Sequence, residues 1–198
     1  HLPLVDSKHI SLGKKTVYLK NKQVKIGLGA IAKGYAIKEC MNIIKQSGIS
    51  SAIIEAGGDL QVLGKKYGKQ WKSGLQHPTK RYDILLIIKL NSLDSIATSG
   101  DYERYTKYKG KRYSHIIDPR TGYPANNFTS LSVIAKNPVS ADAYATALSI
   151  LNKQERMTFI KKNSHLGIIQ VDHGLHISIT KNLKSKIKIL TKSKITWF

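Results

Sequence analysis

Short apolar runs, separated by Gly, Asn, Asp or Pro, follow one another along most of this chain, and no other feature limits its fold as strongly. "TVYLK" (16–20) and "QVKIGL" (23–28) alternate like paired strands joined at "NK". "SAIIEA" (51–56) reads as a buried strand ending in "GGD", and "LQVLG" continues as another. "WKSGLQ" (71–76), "DILLIIKL" (83–90), "SIATSG" (95–100), "KRYSHII" (111–117) and "LSVIAK" (131–136) follow the same logic. The tail from "LGIIQVDHGLHISIT" onward adds strands about a turn at "DHG". Helical spacing fits three windows. Over 30–46, Ile31, Tyr35, Cys40, Ile43 and Ile44 can share a broad face, with Gly48 as a stop. After "NPVS", Ser140 can cap a helix that places Ala141, Ala145, Leu148 and Ile150 or Leu151 at helical spacing. "KQERMTFIKKN" reads as a third. Strands in consecutive runs, broken by a few helices, predict an α+β fold with mixed or antiparallel sheets packed against helices, rather than regular βαβ alternation. The 198 residues show no repeat or linker, so one domain over 1–198 is expected, long enough to bury a core.

Composition narrows the function classes. No window reaches the unbroken apolar length of a membrane span. The opening "HLPLVDSKHIS" has no basic end followed by an apolar stretch, the signature of a signal peptide. The lone Cys40 excludes an internal disulfide and a multi-cysteine zinc site, and its place in a helical window reads as a small buried apolar residue. A formal net charge of +21 raises the possibility of a phosphate-binding surface. Against it, five of the 33 basic residues are Arg, the side chain that forks onto phosphates and bases, and the lysines are spread along the chain. A solvated cationic surface with no specific nucleic-acid partner is the expectation.

Several stretches carry residues suited to chemistry, each with a plain structural reading beside it. In "GLGAIAKGYA" (27–36), glycines precede a helix whose first turns hold Lys33 and Gly34. A helix N-terminus offers amides and a positive dipole end to an anion, and Lys33 adds charge. The stretch is neither a Walker A loop nor the dinucleotide fingerprint, and a helix start packed closely on a strand accounts for it equally. "EAGGDL" (55–60) and "TSGDYERY" (98–105) read first as turns. "SADAYATA" (140–147) sets Asp142 and Thr146 four apart, on one helix face. They are hard oxygen donors of the kind Mg²⁺ accepts together with water and phosphate oxygens. The plain alternative is a capping carboxylate and a threonine bonded back to its own turn. In "SHIIDPRTGYP" (114–124), His115 in a strand-like run with Asp118 nearby is equipment for general-base work. Its plain reading is a structural histidine ahead of an Asp-Pro turn.

Taken in order, "GLGAIAKGYA", "EAGGDL", "TSGDYERY", "HIIDPRTGYP" and "ADAYATA" resemble the motif series of the FAD:protein FMN transferase family, also called the thiamine biosynthesis lipoprotein family. The resemblance implies a flavin-transferase, tunnelling-fold-like architecture, with FAD as substrate and Mg²⁺ as cofactor. It implies transfer of FMN to a threonine hydroxyl of an acceptor flavoprotein with release of AMP, or hydrolysis of FAD to FMN and AMP. Carried over residue by residue, it makes His115 catalytic. Asp142 and Thr146 become metal ligands, joined by main-chain oxygens at Ala30 and Ala145. Cofactor contacts fall at Gly27, Ala30, Lys33, Gly58, Asp59, Ser99, Gly100, Asp101, His115 and Asp118. On this reading Lys33 and Mg²⁺ neutralise the pyrophosphate while His115 supplies the base.

The match departs from the family in two places. Gly27 stands where the family has Asp, which removes one carboxylate from the flavin side. The chain also corresponds to the C-terminal two-thirds of the family pattern, so a further N-terminal region would hold more FAD contacts and the membrane anchor. A periplasmic or cell-surface location follows from the resemblance. The expected activity is Mg²⁺-dependent flavin transfer. An FAD pyrophosphatase, a catalytically impaired flavin-binding protein and a cationic nucleic-acid module are the alternatives, in that order.

Overall fold

The computed structural model describes residues 2–80, 82–101, 105–125 and 127–198, with Lys111 and Arg112 described through their backbone. Residues 102–104 of the "TSGDYERY" motif therefore lie outside the described residues. The elements run β1 (Ile10–Leu12), β2 (Val17–Leu19), α1 (Ala32–Gln46), β3 (Ala52–Ala56), β4 (Asp59–Leu63), β5 (Trp71–Gln76), β6 (Ile84–Leu90) and β7 (Ser95–Gly100). They continue with β8 (Tyr105–Tyr108), β9 (Lys111–Ser114), β10 (Ser130–Ala135), α2 (Pro138–Ile150), α3 (Lys153–Lys162), β11 (Gly167–Val171), β12 (Ile177–Ile179), β13 (Ile187–Ile189) and β14 (Ile195–Trp197). Among the described residues no helix is long and apolar enough to cross a membrane.

A seven-stranded sheet in the order β14-β12-β11-β10-β7-β4-β3 forms the centre. Its pairings are antiparallel except β12 with β14, which is parallel. A three-stranded sheet, β13-β6-β5, contributes the buried Leu86, Ile88 and Leu90 to a core shared with Val62, Ile96 and Ile169 of the large sheet. On the other face, α2 packs against β7 and β10. There Leu131, Val133 and Ile168 of the sheet meet Ala141, Ala145 and Leu148 of the helix. β10 and β11 are therefore buried along their whole lengths, because both their faces are covered. Each fully buried Leu or Ile contributes about 2 kcal/mol. The architecture is the α+β arrangement expected from the sequence.

Local departures have physical causes. The first hairpin pairs 10–12 with 17–19, and 23–28 forms no strand. Asn21 turns the chain there, its side chain accepting from the Gln23 amide at 2.9 Å, and Val24 alone of that stretch is buried. α1 buries Gly34, Ile37 and Met41, not the face through Tyr35, Cys40 and Ile43, all of which are exposed. The helix docks through its smallest residue, which turns its widest apolar stripe outward. β3 lies at the sheet edge and is half-exposed rather than buried. α2 starts at Pro138 and is capped by Asn137, whose side chain accepts from the Val139 amide at 3.0 Å, so Ser140 is not the cap. β9 ends at Ser114 and pairs with β8, which leaves His115 just beyond the strand.

Asp94, in the β6–β7 turn, ties the two sheets together. It meets Lys136 at 2.8 Å and Lys186 at 3.0 Å and accepts from the Asn91 amide at 2.8 Å. Burial alone would raise its carboxyl, but Lys136, the Asn91 amide and Lys186 together outweigh burial and hold it below the usual carboxylate range. A depressed folded-state value means that this stabilisation is present above the unfolded value of about 3.9 and is lost as pH falls through the folded one. Asp94→Asn should lower stability at neutral pH by about 2 kcal/mol and flatten the acid limb of a denaturation profile. A variant with an unchanged acid limb would show that this cluster does not couple folding to pH.

Candidate functional site

The site is built where α1 crosses α2. The Ile31 position that opens α1 makes no side-chain capping bond. A carboxylate from far along the chain takes that role: Asp142 Oδ2 accepts from the Gly34 amide at 2.9 Å. A negative group near a helix N-terminus is favoured by the helix dipole. The approach is tight. A Cβ on Gly34 would stand 2.4 Å from the Pro138 carbonyl oxygen and 2.9 Å from the Asp142 Cβ, so glycine is the residue that fits.

One turn further along α2, Thr146 faces the end of β7. Its Oγ1 lies 3.1 Å from Ser99 Oγ, and the neighbouring Thr98 Oγ1 lies 2.8 Å from Ser132 Oγ. Lys33 reaches from the first turn of α1 to Asp59 at the start of β4, with 2.9 Å between Nζ and Oδ2. Asp59 keeps 3% of its side chain exposed and Lys33 keeps 38%, so the cation has a solvent side and its partner has almost none. Asp59 Oδ1 accepts from the Thr98 amide at 3.1 Å. Burial pushes the Asp59 carboxyl above its ordinary value, and the pull of Lys33 in the opposite direction does not cancel this.

These groups surround a cleft of about 540 Å³ lined by Gly29, Ala30, Ala32, Lys33, Gly57, Thr98, Ser99, His115, Ile116, Ile117, Asp142, Thr146 and Ile150. The size suits a small-molecule ligand. Of the residues singled out in the sequence, Ala30, Lys33, Ser99, His115, Asp142 and Thr146 are on its wall, and Asp59 lies behind Lys33. The others stand elsewhere. Gly27 lies in the segment before α1, and Gly58 donates its amide to Glu55 Oε1. Gly100 closes β7 opposite Ser130, and the Asp101 amide donates to the Thr129 carbonyl at 3.1 Å. Ala145 is buried in α2 with its carbonyl accepting from Ser149 Oγ at 2.8 Å. Asp118 is engaged by Arg120, which holds its carboxyl below the usual range.

Gly29, Ala32, Gly57, Thr98, Ile116, Ile117 and Ile150 line the cleft without having been singled out as site residues. For Gly57 a signal existed in the paired glycines of "GGD": its φ of +56° is a conformation that favours glycine. The isoleucines gave none, since an apolar wall reads as core.

A model of the ApbE family matches residues 1–169. The chain belongs to the ApbE family. Its relatives include the FAD:protein FMN transferase of Haemophilus influenzae, 33% identical over 187 residues, which cover 91% of this chain and 53% of that protein. The Rhodobacter capsulatus protein of the same name is 31% identical over 173 residues, 87% of this chain and 33% of that protein. The chain thus spans about half or less of these relatives' length. Among solved structures, the ApbE protein of Thermotoga maritima superposes with a TM-score of 0.83 at 35% identity, over 91% of this chain and 60% of that one. The Vibrio cholerae flavin transferase ApbE gives 0.80 at 26% identity, over 93% and 60%.

Gly34→Ala tests how strictly this family member depends on its helix crossing. The new methyl meets backbone atoms that have nowhere to yield, so α1 and α2 must separate. Denaturant unfolding should show a loss of about 3 kcal/mol. A loss under 0.5 kcal/mol would mean that the helices can part without cost.

Proposed function

We propose that this chain forms a Mg²⁺-dependent FAD:protein FMN transferase site that moves FMN from FAD to a threonine hydroxyl of an acceptor flavoprotein and releases AMP. The observation that carries this reading is the convergence of Lys33, Ser99, His115, Asp142 and Thr146 on one cleft, from four separate parts of the chain.

The donor chemistry fits magnesium. Among the described residues no three His, Cys, Asp or Glu side chains gather as a metal cage. The cleft offers instead one carboxylate and hydroxyl oxygens. Asp142 gives one carboxylate oxygen to Gly34 and has a second to offer, with Thr146 a turn away and Ala30 on the same wall. Mg²⁺ suits such a sparse oxygen set, because it keeps waters and shares the phosphate oxygens of its substrate. When bound, it neutralises charge on the pyrophosphate and on the departing AMP.

The remaining work belongs to the chain. Lys33 places an ammonium beside the phosphates, on the wall of the cleft near the positive end of α1. Asp59 fixes that ammonium from behind. The acceptor threonine oxygen forms a bond to the FMN phosphorus as the bond from that phosphorus to the bridging oxygen breaks, and AMP leaves with that oxygen. His115 takes the threonine proton. Because His115 is exposed at the cleft, water can occupy the threonine's place, which favours FAD hydrolysis as the second reading.

Incubation of the purified chain with FAD and Mg²⁺, with and without a threonine-bearing acceptor, tests the proposal. Covalent FMN on the acceptor is expected. Loss of His115 in His115→Ala should reduce the rate by roughly 10²–10⁴-fold, and EDTA should stop the reaction. FMN and AMP without labelled acceptor would favour the hydrolase. A folded chain that binds FAD and releases no AMP would overturn both.

A further inference from the structure

We propose that Arg120, held by Glu155, is a positioning residue that sets the placement of His115 opposite Asp142 and Thr146. The inference rests on the catalytic use of the cleft proposed above. Among the described strands, β8 and β9, which lead to His115, pair with each other and with no strand of the two large sheets. The segment after them is organised largely by its own bonds. The Ala125 amide donates to the Ile116 carbonyl at 2.8 Å, the Asp118 amide to the Tyr123 carbonyl at 2.8 Å, and Ile117 bridges to Pro124. Such bonds shape a loop but do not place it relative to α2.

Arg120 supplies a link of the right kind. On the loop side, its Nε and Nη2 donate to Asp118 Oδ1 and Oδ2 at 3.0 and 2.8 Å. On the helix side, its Nη1 donates to both oxygens of Glu155 at 2.9 and 3.1 Å, and its Nη2 donates to the Ile150 carbonyl at 3.2 Å. Ile150 ends α2, one turn beyond Thr146, and itself lines the cleft. Glu155 is in turn fixed in the capping box of α3, where its Oε2 accepts from the Asn152 amide at 2.8 Å. Asn127 reinforces the same corner by donating to the carbonyls of Ser149 and Ile150, both at 3.1 Å.

The planar guanidinium thus spans the end of the His115 loop and the end of the helix that carries Asp142 and Thr146. Two carboxylates at fixed angles demand a fork, which the single ammonium of lysine does not reproduce. A positive group at the C-terminal end of α2 also suits the helix dipole. Misplacing a reacting group by about 1 Å costs on the order of 10²-fold in rate, so a loosened link here is read in turnover.

Arg120→Lys and Glu155→Gln are compared with the unaltered chain by melting temperature, FAD affinity from flavin fluorescence, kcat and KM, and the ring-proton resonance of His115. The positioning role predicts a kcat loss of roughly 10–100-fold with FAD affinity and KM within about threefold, together with a shifted His115 resonance. Glu155→Gln removes the charge and one acceptor oxygen of the link from outside the loop and keeps the α3 cap, so it reports even where Arg120→Lys fails to fold. Full kcat with an unmoved His115 resonance in both variants would overturn the proposal, as would a rate loss that merely follows the melting temperature. If the unaltered chain turns over no FAD, the transferase reading falls, and the His115 resonance still decides whether Arg120 fixes the ring.

Discussion

A single hydrogen bond between residues 108 positions apart, from the Gly34 amide to the Asp142 carboxylate, joins the two halves of the site. It caps one helix with a side chain of another, and it is possible because residue 34 has no side chain to keep them apart. The consequences run outward from that contact. α1 can bring Lys33 over Asp59, and α2 can bring Thr146 to Ser99, while both helices stay seated on the central sheet. The same carboxylate has a second oxygen for a divalent cation, so a structural bond and a proposed metal site share one residue.

The charges on the cleft are arranged by depth. Asp59 is buried behind Lys33, which presents its ammonium to the cleft, and Asp142 lies between the two helices. An anionic ligand entering from the solvent side meets the cation first. The raised Asp59 carboxyl shows that burial costs this pair part of its attraction, so it is better suited to aiming Lys33 than to stabilising the fold. Stability is supplied elsewhere, by the apolar layers on both faces of the sheet and by the Asp94 cluster between the sheets.

Much of the fold was legible because its strands stand as short alternating or apolar runs bounded by turn residues. "WKSGLQ" and "SIATSG" coincide with β5 and β7 to the residue. What failed was whatever depended on a partner remote in sequence. The buried face of α1 is chosen by its crossing with α2, so periodicity alone pointed to Cys40 and Ile43 instead of Gly34 and Met41. The stretch 23–28 alternates well enough for a strand but pairs with no strand among the described residues. In the site, the ordered motifs singled out Lys33, Ser99, His115, Asp142 and Thr146, and the fold brings them to one cleft. Asp118 was singled out with them but stands off the cleft wall, because Arg120 engages it, and nothing local in "DPRTG" reveals that Glu155 lies on the far side of that guanidinium.

In the proposed site Asp142 serves both the helix crossing and a divalent cation that helps to hold FAD. FAD affinity, followed by flavin fluorescence with and without Mg²⁺, tests it most directly when the native chain is set beside Asp142→Asn. Asparagine still offers an acceptor to the Gly34 amide but removes the charge. The account predicts that Mg²⁺ tightens FAD binding at least tenfold in the native chain, and that Asp142→Asn keeps the fold and loses this enhancement. Equal affinity with and without Mg²⁺ in the native chain, or an enhancement that survives in Asp142→Asn, would contradict it.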